Sequence, residues 1–217
     1  MKKETKKNFG IAAILLGAFV LWTAAVRLVD VQLIGPQGSA VGFATINGWV
    51  HDLTGAHMAL YTVTDWLGLV PIAFAIGFAL LGLIQWIHRK HIRKVDFSIL
   101  VLGGFYLLVM AAYVLFEMLV INYRPVLING CLEVSYPSST TMLVLCVMPT
   151  AIMQLNTRIK SKTLKRCAAF GITAFIIFMV IGRLLSGVHW FTDIVGGALL
   201  SAGLVMLYHS ITSLEIK

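Results

Sequence analysis

Six long apolar runs leave this chain few folds to choose from. They cover about residues 9–26, 66–86, 97–120, 138–155, 167–185 and 190–208. Each is long enough, or nearly so, to cross a hydrocarbon core of ~30 Å as a helix rising ~1.5 Å per residue. None alternates like a strand, and no internal repeat emerges. Charged residues make up 12% of the chain, against about 25% in soluble domains, and the mean hydropathy is +0.90. The expected fold is all-α: a polytopic membrane helix bundle with six transmembrane helices.

The net charge of +8 would suit a nucleic-acid partner, but its placement argues against one. With the N-terminus inside, the inner segments are 1–8, 88–96, 156–166 and the C-terminal tail. They hold every Lys and Arg of the seventeen except Arg27, Arg124 and Arg183. That asymmetry is the positive-inside signal, so the charge encodes orientation, with both termini cytoplasmic. The basic lead Met1–Lys7 precedes a run longer than a signal-peptide core, with Arg27 directly after it, and so predicts an uncleaved first helix. Arg27 can snorkel at that helix end. Cys131, Cys146 and Cys167 are odd in number and widely spaced, which predicts small apolar residues rather than a disulfide framework or a metal pattern.

Residues 30–64 are richer in Gly and polar groups. They predict a loop with a short interfacial helix near Ile46–Tyr61, Trp49 and Tyr61 lying at headgroup level. Asp65 is placed to cap the second membrane helix, with Pro71 in its first turns. His51, Asp52 and His57 form a weak metal pattern and read as polar loop residues.

The chemistry concentrates in Gly182–Asp193. His189 and Asp193 are four residues apart, hence on one helical face, where the carboxylate can bond one ring nitrogen and free the other for attack. Arg183 returns beside them across the short turn 184–188, offering a planar fork for phosphate oxygens. The plainer alternative is a His–Asp pair that only locks two helices. Arg124-Pro125 and the run Ser135–Thr141 lie on the same predicted outer side. Small hydroxyl residues opening a helix after Pro137 can aim backbone amides at an anion. Polar residues at membrane depth are functional candidates.

The order Arg124-Pro125, then Pro137-Ser138-Ser139, then Arg183-x5-His189-x3-Asp193 resembles the type 2 phosphatidic acid phosphatase (PAP2) superfamily over roughly residues 97–210. The resemblance implies a single membrane domain over 1–217, with a PAP2-like core at about 66–210 and an N-terminal helix and extracytoplasmic loop at 1–65. It implies His189 as a nucleophile forming a phosphohistidine, Asp193 as its partner, phosphate binding by Arg124, Arg183, Ser138 and Ser139, and no metal or other cofactor. All three motifs depart from the family's pattern, the third only in having Gly182 where the family usually has Ser before the arginine. In the other two, Glu117 stands where the family has Lys, and Thr140 where it has the His that protonates the leaving group. General acids contribute ~10²–10⁴-fold. A diphosphate, whose leaving group is weakly basic, suffers least from that loss. Glu133, with a pKa raised by partial burial, or Glu117 offers a substitute proton.

The expected activity is therefore hydrolysis of a lipid phosphate or diphosphate, with polyprenyl diphosphate an attractive substrate. The site would face outward in a multi-pass protein of the plasma membrane. The alternatives are a degenerate, non-catalytic protein that binds or transports a phospholipid, and a phosphotransferase.

Overall fold

The computed structural model describes residues 3–214. Among the described residues eight α-helices form: α1 (Lys3–Leu28), α2 (Ala44–Thr54), α3 (Met58–Leu67), α4 (Leu69–Arg89), α5 (Phe97–Met118), α6 (Ser139–Arg158), α7 (Lys162–Leu185) and α8 (Phe191–Thr212). No strand forms among the described residues, only isolated antiparallel bridges. Six spans are long and apolar enough to cross a membrane, with α3 and α4 counting as one, Met58–Arg89.

Two helices are inner and four are outer. About half of the most apolar stretch of α6 (56%) and α8 (50%) is buried inside the protein, against 17–22% for the other spans. The outer faces are apolar because lipid covers them. Glycines allow the close packing of α8. A side chain at Gly203 would strike Leu16 of α1 at 2.7 Å, and one at Gly196 would strike the Tyr136 ring at 2.6 Å. Tyr136 seats in that gap, joining Phe105, Met142, Leu200 and Tyr208 in one core.

The second span starts earlier than its composition suggests. Asp65 lies inside α3 rather than capping a helix, because the chain is already helical from Met58. The regular helix is interrupted at Gly68, whose backbone stays right-handed (φ −58, ψ −18) and whose N–H reaches Thr64 O (3.1 Å) and Asp65 O (3.0 Å). Pro71 explains the break: it has no N–H for the Leu67 carbonyl one turn back. The expected interfacial helix is likewise split. α2 ends at Gly55 (φ +66), and the linker 55–57 leads into α3.

The chain's loops sort to two ends. At one end Arg89 and Arg158 pair with Asp96 at 2.9 and 3.4 Å. At the other, residues 29–57, 119–138 and 186–190 meet. Arg27 donates to Val120 O (3.0 Å), and the His57 N–H donates to Ser186 O (2.9 Å). Gly187 (φ +65) is needed there, since a Cβ would lie 1.8 Å from Gly55 O.

Candidate functional site

The segment between α5 and α6 folds back on itself. Tyr123 bridges Val134, the Arg124 N–H donates to Glu133 O (3.0 Å), and the Ser135 N–H donates to Asn122 O (2.9 Å). Side chains alternate along such a ribbon. Asn122, Arg124, Glu133 and Ser135 therefore share one face, and Tyr123 and Val134 the other. The Trp190 indole N–H donates to Tyr123 O (2.8 Å) and ties the ribbon to the start of α8. The shared face lands on His189 and Asp193.

His189 and Asp193 are almost wholly buried, at 4% and 0% exposed. The sequence predicts a direct bond between them. The structure holds His189 Nδ1 and Asp193 Oδ2 3.8 Å apart, too far for a hydrogen bond. The Ser135 hydroxyl stands between them, 3.1 Å from Nδ1 and hydrogen-bonded to Oδ2. Asp193 cannot swing across to close the gap. Its Oδ2 also accepts the Trp190 N–H (2.9 Å), capping α8, and its Oδ1 accepts Asn122 Nδ2 (3.3 Å).

On the other side of the ring, Arg124 Nη1 lies 3.5 Å from Nε2. Burial, together with the positive charges of Arg124 and Arg183, holds the His189 pKa well below 6.5, against a hydrogen bond to the Ser135 backbone that favours protonation. The ring is thus neutral at physiological pH, the form in which a ring nitrogen can act as a nucleophile.

Arg183, 1% exposed, reaches α3: Nη1 donates to Thr64 Oγ1 (3.3 Å) and pairs with Asp65 Oδ1 (3.7 Å). Its guanidinium stacks over the Tyr61 ring at 4.9 Å, and that of Arg124 lies over the same ring at 5.9 Å. Arg183 Nε is buried without a hydrogen-bond partner among the described residues. Arg124 Nε sits 3.1 Å from Glu133 Oε2 without the alignment of a hydrogen bond. Buried guanidinium donors without good acceptors suit an anion.

The remaining candidates are dispersed. Ser138, fully buried, spends its hydroxyl on the Thr141 N–H (3.5 Å) and its amide on Asp193 O (3.1 Å), so it holds α6 against α8. Ser139 and Glu117 line a narrow cleft that ends at His189 and Ser135. Thr140 follows, half-buried in the first turn of α6. Glu133 is 41% exposed and ion-paired with Arg124. His51 packs its ring on Trp190 at 5.6 Å, and burial lowers its pKa against the opposing charge of Asp52. His57 is exposed at the entry to α3. No group of three or more His, Cys, Asp or Glu among the described residues can hold a metal.

Sequence reasoning gave Ser135 and Asn122 no contact with His189 or Asp193, placed Tyr61 only at headgroup level, and left Thr64 without a role. The dipeptide Asn129-Gly130, a strong hairpin signal, could have found the first two. Counting outward from it sets Arg124 and Ser135 on one face, although the structure pairs Arg124 with Glu133 and Ser135 with Asn122, two residues off that register.

A family model described as PAP2 superfamily matches residues 120–217. That region holds Arg124, Ser135, Arg183, His189 and Asp193, while Glu117 precedes it. A solved structure described as the first transmembrane PAP2-type phosphatidylglycerolphosphate phosphatase from Bacillus subtilis matches with a TM-score of 0.64. The match is 18% identical, covers 94% of this chain and 96% of that one, and shows a shared fold. A comparison with curated proteins finds no match.

Proposed function

We propose that the chain is a membrane lipid phosphatase that hydrolyses a lipid phosphate or diphosphate through a phosphohistidine at His189. The observation that carries this reading is the His189 ring. It is buried and neutral, with Nε2 turned toward Arg124 and with Arg183 close by. In the first step Nε2 forms a bond to phosphorus as the P–O bond to the lipid breaks and the lipid departs with the electron pair. In the second step water attacks phosphorus, the P–N bond breaks, and His189 is restored with release of inorganic phosphate. Arg124 and Arg183 bind the phosphoryl oxygens and offset the charge that builds on them.

A diphosphate such as polyprenyl diphosphate is the favoured substrate. Thr140 has no acidic proton to give, and Glu133 is committed to Arg124. A phosphate leaving group requires the least help. The site faces outward, because the Lys and Arg residues gather at the opposite end of the bundle and the positive-inside rule puts that end in the cytoplasm.

The test is phosphate release by the purified protein from micelles of phosphatidic acid, phosphatidylglycerol phosphate and polyprenyl diphosphate. Expected are turnover favouring the diphosphate, an acid-labile phosphoenzyme, and loss of both in His189→Ala. Equal release by wild type and His189→Ala would sink the mechanism. Binding without release from any of the three would mark a non-catalytic lipid-binding protein.

A further inference from the structure

We propose that Ser135 is a positioning residue that relays Asp193 to His189 and fixes the imidazole in the tautomer whose Nε2 is free to attack. The proposal deepens the reading of His189 as nucleophile and rests on it for its catalytic consequence.

Two independent counts of protons lead to the same tautomer. The Ser135 hydroxyl has one proton, and the carboxylate of Asp193 can only accept it. Toward His189, 3.1 Å away, Ser135 can then only accept, so Nδ1 carries the ring proton. From the other side Arg124 has only donors to offer, so Nε2, 3.5 Å from Nη1, presents its lone pair. Both ring nitrogens are held from one ribbon face, which carries Arg124 and Ser135 together.

No other side chain bonds His189 Nδ1 among the described residues. Asp193 is pinned by Trp190 and Asn122 at 2.9 and 3.3 Å and stays 3.8 Å from Nδ1. Ser135, His189 and Asp193 are 2%, 4% and 0% exposed, which leaves bulk water little access to bridge the gap. Without the hydroxyl, the proton at Nδ1 loses its side-chain acceptor and its link to Asp193, and the two neutral tautomers come closer in energy. The Nε2–H form cannot attack, and its proton faces a guanidinium.

The test uses the full-length protein in lipid nanodiscs, labelled with ¹⁵N-histidine, with the His189 ring signals identified by their loss in His189→Ala. Expected in wild type is a protonated Nδ1 beside an unprotonated Nε2. Ser135→Ala mixes the tautomers, whereas Ser135→Thr, which keeps the hydroxyl, retains one. On farnesyl diphosphate, kcat for Ser135→Ala falls about 10–100-fold, the scale on which outer-shell partners of a histidine act. In an Asp193→Asn background the same change costs little more, because relay members act as a unit. An unchanged single tautomer in Ser135→Ala, or fully additive losses, overturns the proposal. If Ser135→Ala does not fold, Ser135→Cys keeps the volume with only a weak donor and decides the same question. Absence of phosphate release from wild type would defeat the functional reading alone, since the ring signals report the relay without turnover.

Discussion

Arg124 and Arg183 lie over the same aromatic ring, that of Tyr61, with guanidinium carbons 5.9 and 4.9 Å from its centre. The two cations come from segments almost sixty residues apart and would repel each other across a buried site. Tyr61 gives both a π face to rest on, and such contacts are worth about 0.5–2 kcal/mol each. Tyr61→Ala is therefore expected to loosen both arginines and raise KM for a lipid diphosphate about tenfold. Tyr61→Phe keeps the ring and should stay within about threefold of wild type, at the scale of one hydrogen bond. Steady-state kinetics on the two variants checks this, and equal losses in both would place the effect in the hydroxyl instead.

The pH dependence follows from the surroundings of His189. Attack needs the neutral ring, and burial with two positive neighbours holds its pKa well below 6.5. Activity is lost only as pH falls through that lowered value, so the acid limb of kcat/KM should lie below 6.5. Arg124→Gln removes one of the positive charges and should move the limb upward, at reduced overall rate. A wild-type limb at or above the ordinary histidine value would contradict the burial of the ring.

Glu133 offers a separate test of where the leaving-group proton comes from. It pairs with Arg124 at 3.1 Å and is 41% exposed, the setting of a counter-ion rather than a proton donor. Glu133→Gln should free Arg124 for the substrate, lowering KM a few-fold with kcat nearly unchanged. Half-exposed ion pairs are worth only about 0.2–1 kcal/mol, which bounds the effect. A fall in kcat of about a hundredfold, on the scale of a lost general acid, would make Glu133 catalytic after all.

The six spans were legible in the sequence because lipid imposes one requirement on every residue of a span, and composition records it. Helix ends were less so. Asp65 looks like a cap because capping is local chemistry, yet it serves Arg183 from within α3 at 3.7 Å. Arg183, His189 and Asp193 were legible because they fall within eleven residues, where helical spacing limits their geometry. Ser135 was not, because its role depends on a ribbon register and on a gap of 3.8 Å that no spacing reveals. Ser138 shows the reverse case: a hydroxyl in the right motif whose bonds are used to hold α6.

The turn after Arg183 packs against the linker that leads into α3, with the His57 N–H donating to Ser186 O (2.9 Å). Gly187 adopts φ +65, and a Cβ there would lie 1.8 Å from the carbonyl oxygen of Gly55. Gly187→Ala is strained twice, by the left-handed backbone, at roughly 1–2 kcal/mol, and by a clash that only main-chain movement can relieve. The movement falls on the linker 55–57, which leads into Tyr61, Thr64 and Asp65, the residues that hold Arg183. Gly187→Ala should therefore lower the melting temperature in detergent and reduce turnover further than the loss of folded protein explains. Gly171→Ala is the control. It lies inside α7 with nothing within 4 Å of the added carbon, and in a helix the exchange should be neutral or stabilising by roughly 0.5–1 kcal/mol. Equal melting temperatures and turnover for Gly187→Ala and Gly171→Ala would show that the 55–187 contact does not position α3.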